Sequence, residues 1–85
     1  MKSNEARALP FNVDFRLREF RASHDAEAAL CFLRELRMHA FELVAAGLLP
    51  RKYAVLIHRD VDLDDSCDAK TIVALGNMFA KVMPK

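Results

Sequence analysis

Five aspartates lie within nine residues of one another, at Asp60, Asp62, Asp64, Asp65 and Asp68. Carboxylates at alternate positions can bind Ca²⁺ or Mg²⁺, because both cations prefer oxygen ligands. An EF-hand loop counted from Asp60 would need glycine at its sixth position and glutamate at its twelfth. The sequence has Asp65 and Thr71 there, which argues against a calcium loop. Weak metal-dependent activity at the 60–68 aspartates stays open as a second alternative for function.

The same aspartates also have a purely structural interpretation, which we favour. Asp65 can cap the final helix, with Asp68 in its first turn reaching back as in a capping box. Asp60, Asp62 and Asp64 would then line the exposed side of a strand edge, where charge discourages aggregation. On this interpretation the cluster needs no metal.

The remaining side chains that could do chemistry are dispersed along the chain. The histidines are His24, His39 and His58, and the cysteines are Cys31 and Cys67. A zinc site needs ligands at characteristic spacings, and a nucleophilic cysteine needs a paired base; neither pattern is present. We therefore expect no enzymatic activity, no metal and no cofactor.

Basic residues provide the alternative function. Arg16, Arg18 and Arg21 follow one another near the N-terminus, and Arg51 with Lys52 precedes a second apolar segment. If those segments are neighbouring parallel strands, the five cations could share one surface and contact phosphates. Interleaved acids and a net charge of +1 weaken the hypothesis of nucleic-acid binding.

The element that would carry Arg16 and Arg18 shows period-two alternation. Phe11, Val13, Phe15 and Leu17 alternate with polar residues, which predicts a half-buried strand. The alternation breaks at Phe20. A helix with Val13, Leu17 and Phe20 on one face therefore remains an alternative.

The clearest helical signal covers residues 25–46. Ser23 or Asp25 can cap the helix N-terminus, and apolar residues recur at helical spacing through the segment. Gly47 stands where a helix end favours positive φ, and Pro50 prevents continuation. We predict one long central helix that ends at a left-handed Gly47.

Two further elements follow. Residues 52–63 alternate in a way that predicts a second strand, because Tyr53, Val55 and Ile57 would share one face. The final segment, 66–83, has apolar residues at helical spacing with Gly76 on the same face. Glycine in a helix interior suggests close approach to a neighbouring backbone, which we expect to be that of the long helix.

The predicted fold is α+β, with the order strand, helix, strand, helix. A flexible lead-in over residues 1–9 would precede a single small domain over residues 10–85, since 85 residues suffice for one domain only. Two parallel strands make a poor sheet on their own. We therefore expect dimerisation to complete the core.

Three apolar side chains mark the expected interface. Leu30, Met38 and Phe41 lie away from the core stripe of the long helix, and one helix on one small sheet does not easily bury them. Either the neighbouring segments cover them or a partner does. We predict a homodimer, or binding of another protein, through these residues.

Composition restricts the function classes. The chain has 13 basic and 12 acidic residues and 53% hydrophobic residues, which provides no overall field for nucleic acid. No signal peptide or membrane span is visible in the pattern, and two unpaired cysteines fit the cytosol. The prediction is a small cytosolic interaction or regulatory module, of the size of bacterial or phage accessory proteins.

Overall fold

The protein is helical throughout the part of the chain that the structure describes. The computed structural model describes residues 9–61, 63 and 68–83, and 80% of these are helical with no strand among them. The predicted α+β fold is therefore wrong. The predicted lead-in, apart from Leu9, lies outside the described residues.

Five α-helices and one π-helical turn make up the described chain. They are α1 (Phe11–Ser23), α2 (Ala26–Met38), α3 (Ala40–Ala45), α4 (Arg51–Val55), the π turn (Leu56–Asp60) and α5 (Ala69–Val82).

Helix α1 replaces the first predicted strand. Its buried residues are Val13, Leu17 and Phe20, which follow the i, i+4, i+7 spacing of one helix face. Phe11 and Phe15 form a second i, i+4 pair and stack on each other with ring centroids 6.1 Å apart. The alternation that predicted a strand is therefore two helical pairs interleaved, one facing the core and one facing outward.

The predicted long helix is two helices. Asp25 caps α2 by accepting a hydrogen bond from the Ala28 amide at 2.8 Å, so one of the two predicted caps is confirmed. The helix then breaks at His39, where φ is −109° and ψ is 11°. The helical segment ends after α3 with Gly47 in the predicted left-handed conformation, at φ +76°.

The second predicted strand is also wrong, because residues 51–60 form α4 and the π turn. Ala54 and Ile57 are buried at a spacing of three, which a helix allows and a strand does not. The Val61 amide donates to the Leu56 carbonyl at 3.1 Å, the i→i−5 bond of a π turn. Tertiary packing of these two positions overrides the β-branched pattern.

Helix α5 begins one residue after Asp68, whose side chain caps it by accepting from the Lys70 amide at 3.1 Å. Asp68 is thus the N-cap itself and not a first-turn partner of Asp65, which lies outside the described residues. Gly76 meets side chains and not the predicted backbone. A Cβ there would lie 2.9 Å from Phe20 Cζ and 3.1 Å from Ala29 Cβ.

The core forms between the α1–α2 hairpin and α5. Helices α1 and α2 are joined by two residues only, His24 and Asp25, and α5 packs on the hairpin. The largest buried side chains include Phe20, Phe32 and Phe79. Within the described residues a single chain thus buries one continuous core. Among the helices described, none has the length and apolarity to cross a membrane.

Candidate interaction surface

Two of the three side chains predicted at an interface are strongly exposed. Met38 is 75% exposed and Phe41 is 65% exposed. Leu30 is half-buried and packs against the core, so this chain itself already provides much of its cover. The end of α2 and the start of α3 therefore present two large apolar groups to solvent.

The Phe41 ring rests on a histidine that the sequence pattern did not single out. The Phe41 and His58 rings stack with centroids 4.8 Å apart and an angle of 16° between their planes. Arg37 Nη2 donates to the His58 carbonyl at 3.0 Å. That bond fastens the π turn to α2 and so positions the His58 ring beneath Phe41.

The break at His39 determines where α3 begins and therefore where Phe41 lies. His39 Nδ1 is 2.8 Å from Glu42 Oε1, and His39 Nε2 is 3.9 Å from Glu35 Oε1. Glu35 Oε1 is buried and has no hydrogen-bond partner. The imidazole is thus within hydrogen-bond distance of Glu42, on the α3 side of the break, whereas Glu35, on the α2 side, approaches it without a hydrogen bond.

Val55 extends the apolar area on the other side of His58. It is exposed on α4 and precedes His58 by three residues, which are neighbours on a helical surface. We call Met38, Phe41, Val55 and His58 together the Met38–Phe41 surface. Val55 and His58 were missed because the strand interpretation placed them on opposite faces of a sheet.

The basic residues near the N-terminus do not share one face. Arg16 and Arg18 are about 200° apart around a helix. Arg16 Nη1 pairs with Glu19 at 3.0 Å and Arg18 Nε pairs with Asp14 at 3.0 Å. The hydrogen bond to Glu19 raises the pKa of Arg16 above its usual value.

Arg21 is directed toward the core elements and not toward a shared basic face. Its Nη2 donates to the Ala80 carbonyl of α5 at 2.9 Å. Arg51 and Lys52 are exposed at the start of α4, and Lys52 Nζ lies 5.5 Å from the centre of the Tyr53 ring. The prediction that all five cations share one surface assumed two neighbouring parallel strands. The described part of the structure is helical and contains no such strands.

A groove of about 490 Å³ runs between α1 and α2. Its lining includes the Arg16–Glu19 pair, Asp25, Glu27 and Cys31. Cys31 is a free, partly exposed thiol. The lining contains no histidine, so Cys31 has no imidazole base beside it there.

The aspartate cluster falls mostly outside the described residues. This holds for Asp62, Asp64 and Asp65 and for the Asp60 side chain, whereas Asp68 serves as the N-cap of α5. Within the described ranges no three potential ligands among His, Cys, Asp and Glu lie close enough to hold a metal ion.

Comparison with protein-family models, curated proteins and solved structures found no match to this chain.

Proposed function

We propose that this chain is a small protein-interaction module without catalytic activity, and that the Met38–Phe41 surface binds its partner. The observation that carries the proposal is the exposure of Met38 and Phe41 on a small chain whose described residues already bury a continuous core. Large exposed apolar patches mark binding sites on soluble proteins. A cytosolic location belongs to the same proposal and is supported by the free Cys31 thiol.

Two kinds of protein could cover the surface. A second copy would do so in the homodimer that the sequence predicts at Leu30, Met38 and Phe41, and that homodimer stays a proposal. A different protein would do so if this chain acts as an accessory or regulatory subunit. Both partners would bury the same side chains, so one set of variants tests the surface for either.

Nucleic-acid binding remains the alternative, although the geometry supports it less. Arg16 and Arg18 are each paired with a carboxylate, which lowers the positive charge that they offer to phosphate. The apolar centre of the Met38–Phe41 surface has no role in contacts with phosphate oxygens. We therefore place protein binding first.

The test compares wild type with Phe41→Asp and, as matched control, Phe11→Asp, which changes an equally exposed aromatic residue on α1. Each protein is sedimented at about 100 μM, a concentration that detects micromolar self-association, and is used as bait against host lysate. We expect wild type and Phe11→Asp to form the same complex, either dimeric or with a captured protein, and Phe41→Asp to lose it. If all three proteins sediment as monomers and capture the same set of proteins, the proposal fails.

A further inference from the structure

The Met38–Phe41 surface is framed by cations. Residues three and four apart are neighbours on a helix surface. By that spacing Arg34 adjoins Met38 within α2. Arg37 lies beside Phe41 because it bonds to the carbonyl of His58, the residue on whose ring Phe41 stacks. Three more cations adjoin Val55, and we call all five the basic rim: Arg34, Arg37, Arg51, Lys52 and Arg59.

No described carboxylate neutralises the basic rim. Arg34 and Arg37 direct their guanidinium groups at backbone carbonyls, those of Leu63 at 3.2 Å and His58 at 3.0 Å. A carbonyl accepts a hydrogen bond but carries no net charge, so neither of these two bonds neutralises a guanidinium group. The two glutamates beside Met38, Glu35 and Glu42, both approach His39 instead.

We infer that the partner of the Met38–Phe41 surface is an acidic amphipathic helix from another protein. The inference rests on the proposed function and adds the chemistry of the partner. An amphipathic helix presents apolar side chains at i, i+3, i+4 and i+7, which can contact Met38, Phe41 and Val55. Carboxylates flanking that stripe would face the basic rim, where complementary charge gives specificity and fast association.

A second copy of this chain fits the same surface less well. A two-fold interface brings one patch against its own duplicate, so two basic rims would lie close together. Like charges brought together across an interface oppose association. Duplex or single-stranded DNA would satisfy the rim but would leave the apolar side chains against a charged backbone. An acidic amphipathic helix can pack on the apolar side chains and pair its carboxylates with the basic rim.

The test uses two synthetic helical peptides with the same leucine stripe. One carries glutamate at the flanking positions and the other carries lysine. Each peptide is fluorescently labelled and titrated with the full chain at low and high salt. We expect the glutamate peptide to bind at least about tenfold more tightly than the lysine peptide, with the difference shrinking as salt screens the rim.

Four variants identify the residues responsible. Phe41→Asp should abolish binding of the glutamate peptide. The double variant Lys52→Glu/Arg59→Glu should weaken it about tenfold and strengthen the lysine peptide. Phe11→Asp and Arg18→Glu, on α1, should leave both peptides unchanged. Arg37 is kept in all of them because its bond to the His58 carbonyl holds the surface together.

The contrary outcomes separate this inference from the proposed function. Equal binding of both peptides, or a wild-type dimer that Phe41→Asp dissociates, would overturn the acidic partner and leave protein binding intact. A monomer that binds neither peptide would overturn the acidic partner, and it would overturn both proposals if wild type and Phe41→Asp also capture the same proteins from lysate. Both proposals would also be overturned if the chain binds DNA, if Lys52→Glu/Arg59→Glu removes that binding, and if Phe41→Asp leaves it unchanged.

Discussion

Gly76 is a position where a neighbouring ring leaves no room for a side chain. The contacts of an added Cβ would be Phe20 Cζ at 2.9 Å and Ala29 Cβ at 3.1 Å. Phe20 is fully buried and is held from two sides, stacked on Phe32 at 6.1 Å and in edge contact with His24 at 5.3 Å. The ring therefore cannot move away without disturbing the hairpin.

We expect Gly76→Ala to lower the free energy of unfolding by about 1 kcal/mol. Alanine gains up to about 1 kcal/mol in helix propensity, but overpacking a tight core costs about 1–3 kcal/mol. Asn77→Ala, at the next and exposed position of α5, is the matched control and should gain about 0.5 kcal/mol. Urea unfolding of both variants measures the difference. A Gly76→Ala protein as stable as wild type would show that the Phe20 ring can yield.

Gly47 differs from Gly76 because its requirement is conformational. Nothing lies within 4 Å of a Cβ built there, but φ is +76°. This need could be predicted from sequence, since glycine after an apolar helix and before Pro50 is a local signal. One neighbour of Gly76, Ala29, lies on the helix that the sequence predicted to approach it. The other, Phe20, could not be predicted, because it comes from a segment 56 residues away that had been assigned as a strand.

At the level of elements, the helix α1 and the predicted strand differ in the burial that they imply for Val13 and Phe15. In a strand, Val13 and Phe15 would point the same way. In α1, Val13 is fully buried whereas Phe15 is 44% exposed and contacts Phe11 and Arg16. The larger side chain is thus the less important one for stability.

We expect Val13→Ala to cost about 2 kcal/mol of stability, from lost burial and the cavity left behind. Phe15→Ala, although it removes more atoms, should cost only about 0.5 kcal/mol, as for other surface positions. Chemical denaturation of the pair, with Leu17→Ala as a second buried control, compares them on one scale. Equal losses for Val13→Ala and Phe15→Ala would contradict the register of α1.

Helix ends were easier to predict than the identity of short elements. The Asp25 cap and the left-handed Gly47 depend on residues within one turn of each other, so the sequence reveals them. Residues 53–57 resemble a strand because β-branched and apolar residues alternate there. Packing of Ala54 and Ile57 against distant residues determines their helical state, and that information is not local.

At the level of the whole molecule, two of the four residues of the Met38–Phe41 surface, Met38 and Phe41, could be predicted from the sequence. The helical periodicity of residues 25–46 predicts that Met38 and Phe41 lie away from the core stripe. It does not decide that both stay exposed while Leu30, placed by the same reasoning, packs against the core. His58 joins them through its stacking on Phe41 and the bond by which Arg37 fastens the π turn to α2. A tertiary hydrogen bond of that kind leaves no trace in spacing or composition.

The close contact of Gly76 with Phe20 and Ala29 also affects the order in which the chain folds. The α1–α2 hairpin needs only local contacts and a two-residue connection, so it can form early. The aromatic surface around Phe20 and Ala29, however, stays open until the last helix is synthesised and docks. A growing chain that has reached residue 63 thus exposes this apolar surface, and aggregation competes with the docking of α5.

We expect a chain truncated after Leu63 to bind a hydrophobic dye and to aggregate. Clear solutions of a compact truncated chain with no dye binding would show that the hairpin closes without its final helix.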